Sequence, residues 1–137
     1  MTSDSRIAVA QDFLREYFSG DVSAASSRLE EDVSFHIPGR HALSGVFRGL
    51  EAASEHLANV LRLTRGSINV LKWEDWLVGV DNVAGLATVH LQRRGQMHDF
   101  RVIFLITVSE QGKIRRFEVF SSDQAAFDRF MFASSDS

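Results

Sequence analysis

The stretch from Ser67 to about Ser121 constrains this chain most. It reads as one strand after another, cut by short polar turns at Asp81-Asn82, Arg94-Gly95 and Glu110-Gln111-Gly112. Turns that short leave no room for a crossover, so consecutive strands are expected to be antiparallel neighbours in a meander. Ser122 and Asp123 can cap one or two closing helical turns, with Ala126, Phe127 and Phe130 as the apolar side.

The first half of the chain has a different period. Ile7, Ala10, Phe13, Leu14, Tyr17 and Phe18 recur at three- and four-residue spacing, the stripe of an amphipathic helix. Ser3, Asp4 or Ser5 can cap its start, and Gly20 stands where a left-handed C-terminal cap belongs. Asp21 suits the cap of a shorter helix, Val22 to Leu29. From Asp32 to Pro38 the apolar Val33, Phe35 and Ile37 alternate with Asp32, Ser34 and His36, which predicts a half-buried strand ending at Pro38-Gly39. A loop through Gly45 leads to a third helix, Leu50 to about Thr64, with the stripe Leu50, Ala53, Leu57, Val60 and Leu61 and a stop at Gly66.

The order is therefore helices first and sheet second, an α+β domain. At 137 residues one domain is expected, with about 1–5 and 132–137 as flexible ends. The chain has no cysteine, which removes disulfides, thiolate metal sites and thiol nucleophiles and fits a cytoplasmic location. A net charge of -3 with interspersed signs argues against nucleic-acid binding, and no apolar run approaches the ~20 residues of a membrane span. Eleven Phe point to an aromatic core or an aromatic-lined cavity.

In this order and spacing, several segments carry a family resemblance: Phe18-Ser19-Gly20-Asp21, Leu29 through Gly39, Leu43-Ser44-Gly45, Phe47-Arg48-Gly49, Gly112-Lys113-Ile114 and Ser122-Asp123-Gln124. Over nearly its whole length the chain resembles the SnoaL-like branch of the nuclear-transport-factor-2-like superfamily. That resemblance implies a cone: N-terminal helices packed on a curved antiparallel sheet that encloses a pocket, with the outer sheet face serving as a homodimer surface. It does not imply one reaction, because the superfamily includes ketosteroid isomerases, polyketide cyclases, epoxide hydrolases, dehydratases and pure binding modules.

The isomerase-type tyrosine, carboxylate base and protonated acid align with Phe13, Ile37 and Phe104, all apolar. The cyclase and epoxide-hydrolase carboxylate aligns with Val119, while Glu118 beside it has the opposite parity. Four residues remain as catalytic candidates. His98 shares the parity of Phe100, Val102 and Phe104 and suits an acid or base on the pocket side. His36 suits a base at the rim, although its parity opposes Phe35 and Ile37 and sets it outward. Tyr17 can turn its hydroxyl into the cone, and Asp123 can act at the mouth or simply cap a helix. The expected substrate wall is Phe13, Ile37, Phe100, Val102, Phe104, Phe117 and Val119.

His41 and His56 read as a loop residue and an exposed helix residue. Arg101, Arg116 and Glu118 read as outer-face cross-strand ion pairs. No metal-ligand cluster and no cofactor fingerprint stands in the sequence, so neither is expected. The expected activity is proton-transfer chemistry of the isomerase, cyclase, dehydratase or epoxide-hydrolase kind on a small apolar molecule. The alternatives are ligand binding without turnover, or a protein-interaction module whose cone is filled by Phe side chains.

Overall fold

The computed structural model describes residues 2–64, 68–93 and 95–132. Helix α1 spans Ser3–Ser19, and Thr2 rather than Ser3, Asp4 or Ser5 caps it, its side chain accepting from the Ser5 N–H. Gly20 closes the helix at φ 81°, donating its N–H to the Glu16 carbonyl at 3.1 Å. That left-handed conformation is the one glycine adopts without steric cost. Asp21 caps α2, Val22–Ser27, which stops before Leu29 because Leu29 already belongs to the next strand.

Strand β1 spans Leu29–Ile37, and β2, Gly45–Arg48, lies in the segment read as loop. Helix α3 covers Leu50–Thr64. Strands β3 (Ile68–Val78), β4 (Asn82–Arg93), β5 (Gln96–Val108) and β6 (Ile114–Ser121) follow, and α4, Gln124–Phe132, is a full nine-residue helix. The expected stop at Gly66, the strand start at Ser67, the Arg94 half of one turn, and the tail Ser134-Ser135-Asp136-Ser137 lie outside the described residues.

The six strands form one sheet in the order β2-β1-β6-β5-β4-β3. β3 to β6 are the expected antiparallel meander. β1 joins it by pairing parallel with β6, Phe35 opposite Phe117. Parallel neighbours need a long connection, and α3 together with the whole meander provides it. The sheet is curved and unclosed, and the helices cover its inner face.

Parity decides that face. Val83, Ala87 and Val89 on β4, and Phe100, Val102, Phe104 and Ile106 on β5, are buried. Asp99 and Arg101 point the other way. On the outer face Asp99 pairs with His90 at 2.8 Å. Arg101 pairs with Glu74 of β3 at 3.1 Å, while Arg116 and Glu118 pair within one strand, so neither makes the cross-strand contact expected among those three. At the centre Phe13, Phe35 and Phe117 meet edge to face, with centroids 5.2 to 6.0 Å apart. That geometry suits the quadrupoles of aromatic rings.

Candidate functional site

Helix α1 crosses the inner face and presents Phe13, Tyr17 and Phe18 to it. Phe13 is fully buried in the aromatic centre, whereas Tyr17 and Phe18, one turn on, border an apolar cavity. The sheet side of that cavity is Val89, Val102, Phe104 and Val119. Its remaining edge is built by the segment after β1 and by α4, through Ile37, Pro38, His41, Leu43, Gln124 and Phe127. The cavity offers about 50 Å³ to the centres of water-sized spheres, where one water needs roughly 10–15 Å³. It is a space for a compact molecule.

Four expected wall residues, Ile37, Val102, Phe104 and Val119, line the cavity. Phe13, Phe100 and Phe117 do not, because they are packed behind it. Phe117 stacks on Phe104, and Phe100 sits against Phe127 of α4. Of the catalytic candidates, only Tyr17 is on the wall. His98 keeps the inner-face parity but is exposed at the far end of β5, stacked on the Phe100 ring at 4.1 Å and outside the lining. His36 lies on the outer face beside Arg116 and Glu118, its Nε2 3.2 Å from the Ser34 hydroxyl. Burial and the neighbouring Arg116 lower its pKa. Asp123 accepts the Ala126 N–H at 3.0 Å and caps α4.

Two histidines gain a place that their sequence reading did not give them. His56 is 1% exposed, not an exposed helix residue. Its ring is enclosed by Phe35, Phe47 and Tyr17, with centroids 5.7, 4.6 and 6.0 Å away. A buried imidazole needs a hydrogen-bond partner, and the Tyr17 hydroxyl provides one, 3.0 Å from His56 Nε2. Desolvation first, and His41 second, lower the His56 pKa to about 4. Burial pushes the Tyr17 phenol well above its ordinary value. Both members of the pair are therefore neutral at pH 7. The signal was present in the sequence: His56 flanks the stripe Ala53, Leu57 and Val60 as closely as Leu61 does on the other side, at about 100° per residue. The helix turns toward His56 and leaves Leu61 38% exposed.

His41 sits in a tight turn. Its N–H donates to the Ser44 hydroxyl at 3.1 Å, its carbonyl accepts from that hydroxyl at 2.8 Å, and its ring packs on Phe127. Nδ1 accepts the Leu43 N–H at 3.1 Å. In the neutral ring the proton is then on Nε2. His41 Nε2 is fully buried. Burial lowers the His41 pKa, against smaller opposite pulls from Asp128 and from a hydrogen bond to the Pro38 backbone.

Among the described residues no group of three or more His, Asp or Glu is placed to hold a metal. No helix is long and apolar enough to cross a membrane.

Comparison with known proteins agrees with this architecture. An uncharacterised Mycobacterium tuberculosis protein is 30% identical over 131 residues, covering 95% of this chain and 98% of its own length. A Xanthomonas campestris protein of unknown function with a cystatin-like fold is 26% identical, with a TM-score of 0.82 over 92% of this chain and 97% of that one. RV0760c from Mycobacterium tuberculosis, solved in complex with estradiol-17beta-hemisuccinate, has a TM-score of 0.72 at 17% identity, over 88% of this chain and 96% of that one. The family model for the SnoaL-like domain matches residues 10–117. By that match, and by the helix-covered curved sheet that positions its cavity, the chain belongs to the SnoaL-like domain family.

Proposed function

We propose that this chain takes a small, mostly apolar molecule into the cavity and moves a proton on it, chemistry of the isomerase or cyclase kind. The observation that carries the reading is Tyr17 on the cavity wall, its hydroxyl hydrogen-bonded to a buried, neutral His56. A conjugate-acid pKa of about 4 gives His56 the basicity of an ordinary Asp carboxylate, about 3.9. The base that the family places on a carboxylate is thus supplied by an imidazole behind a tyrosine. In the step, a proton leaves a substrate carbon for Tyr17 Oη while the Tyr17 proton passes to His56 Nε2. The reverse transfer returns a proton to a different carbon. The apolar lining excludes water and strengthens each hydrogen bond inside it. Estradiol-17beta-hemisuccinate in the related RV0760c structure supports a role for this fold in holding small ligands.

The test is deuterium incorporation from D₂O at the α-carbon of cyclohexanone, followed by NMR. We expect exchange above the buffer rate, reduced by roughly 10²–10⁴-fold in Tyr17→Phe, the range of general acid–base effects. Wild-type exchange no faster than buffer would sink the catalytic reading. A second reading, binding without turnover, is favoured by the lining, which among the described residues holds no Asp or Glu. Cyclohexanone binding without exchange would establish it.

The outer sheet face supports self-association, as the family resemblance implies. Ile103 and Phe120 lie opposite each other there, 39% and 44% exposed. Light scattering at micromolar concentration is expected to give a dimer that Phe120→Glu weakens; a wild-type monomer would remove this part of the reading.

A further inference from the structure

Few polar side chains stand on the cavity wall. Among the described residues they are Tyr17, His41, Ser121 and Gln124. The Tyr17 hydroxyl is engaged by His56, and His41 Nε2 is fully buried. Gln124, the first residue of α4, is half-buried and held by one end of its amide. Its Nε2 donates to Asp128 Oδ1 at 2.8 Å and to the Pro38 carbonyl at 3.4 Å. Those two acceptors settle which end is which, because the reverse would set an amide oxygen against a carboxylate and a carbonyl. The same Nε2 lies over Gly39, where a Cβ would collide with it. Oε1 is left on the other side of the amide, accessible and without a partner among the described residues. We infer that the occupant of the cavity carries a hydroxyl group that donates a hydrogen bond to Gln124 Oε1.

The chemistry of that group follows from its surroundings. An amide oxygen only accepts, so the ligand must bring the donor. Among the described residues the lining contains no Asp or Glu, so an ammonium group there would be buried without an anion on the wall. Asp128, one turn along α4, already receives Gln124 Nε2. A neutral hydroxyl avoids that penalty, and its own oxygen has a donor at hand. Ser121 stands opposite Val102 in the β5–β6 register, with the inner-face parity of Val119. Its Oγ accepts the Asp123 N–H at 3.3 Å, which leaves the Ser121 proton to give. Ser121 and Gln124 thus flank the junction of β6 and α4 as one donor and one acceptor. An acceptor already held in place costs little further ordering when a ligand arrives. The inference rests on the cavity being a ligand site, and it adds what that site selects: an apolar ring with a hydroxyl at its α4 edge.

Three ring compounds of similar size separate the possibilities: 4-hydroxycyclohexanone, 4-methylcyclohexanone and 4-methylcyclohexylamine. Affinities are measured on the wild type by NMR titration, with the Gln124 Cδ signal followed in ¹³C-labelled protein. The expected result is 4-hydroxycyclohexanone binding roughly two- to tenfold more tightly than 4-methylcyclohexanone, the range for one net neutral hydrogen bond. The Cδ signal should move downfield with the hydroxylated ring and not with the methylated one. In Gln124→Met, 4-methylcyclohexanone should bind as it does to the wild type, and the preference for the hydroxyl should vanish. Equal affinity of the two ketones in wild type, with no movement of that signal, overturns the inference while leaving the cavity a ligand site. A preference that survives Gln124→Met also overturns it, because the hydroxyl is then read elsewhere. Tightest binding by the amine overturns the choice of a neutral donor and the inference with it. Failure of all three to bind removes the ligand-site reading itself.

Discussion

The Tyr17 hydroxyl and His56 Nε2 meet 3.0 Å apart, one from α1 and one from α3, across 39 residues of sequence. Each removes the other's problem. A buried phenol and a buried imidazole both need a partner, and in this pair both find one without either carrying charge.

Tyr17→Phe keeps the ring and deletes the hydroxyl, leaving His56 Nε2 enclosed by aromatic rings and unpaired. The expected loss is about 1–3 kcal/mol in denaturant unfolding. His56→Leu, paired with it in a double-mutant cycle, should show a coupling of at least ~0.5 kcal/mol, because the partners touch. Additive single and double variants would mean that the bond contributes nothing.

Acid should destabilise the fold through His56. Its ordinary pKa of 6.5 falls to about 4 in the folded chain, so between those values the unfolded chain binds a proton that the native one refuses. Stability is then full above pH 6.5 and falls as pH drops toward 4. A window of that width is worth about 3 kcal/mol for one group. His41 and His36, both lowered, add slope of the same sign. Urea midpoints measured from pH 7.5 to 4 should show the fall, and His56→Leu should flatten part of it. A wild-type curve flat across that range would contradict the buried neutral state.

Phe18 separates two spaces. It lines the inner cavity and also an outer groove bordered by Gln11, Arg15, Val70 and Trp73, and its ring meets Phe104 edge to face at 5.6 Å. Phe18→Ala should join them and admit a bicyclic ketone such as 2-decalone that the wild type binds weakly. Trp73 stacks on Trp76, the only other tryptophan in the chain. Quenching of tryptophan fluorescence by the larger ligand, in the variant and not in the wild type, is the expected signature. The stability cost should be below the ~3–5 kcal/mol typical of a fully buried Phe.

Gly39 marks where the C-terminal helix closes on the cavity edge. It has φ 100°, and a Cβ there would collide with the Asp128 carboxylate and the Gln124 amide. Gly39→Ala should cost more than ~1 kcal/mol, the scale of a φ-incompatible substitution. Amide exchange in Gln124–Phe132 should rise more than in β5. Unchanged protection of that helix would show that its docking does not depend on this approach.

Much of the cavity wall was legible in advance because strand parity is local. Once Phe100, Val102 and Phe104 alternate with Asp99 and Arg101, one face must be inside, and Val102 and Phe104 do line the cavity. The same parity set His36 outward beside an inward Phe35. His98 shows the limit of that rule: parity gives the face of a sheet but not how far along a strand the cavity extends. β2 was missed because four residues, Gly45–Arg48, are too short to show a period and exist as a strand only by pairing with β1.

By itself the sequence determined every element but β2, their order and the apolar side of the long strands, because those depend on spacings of two to four residues within one segment. Only the tertiary structure decided the polar content of the site. The turn of α3 that buries His56 and exposes Leu61, the meeting of Tyr17 with His56, and the packing of His41 against Phe127 all depend on segments far apart in the chain. No local period records such meetings, since each is settled by how helices and loops pack on the finished sheet.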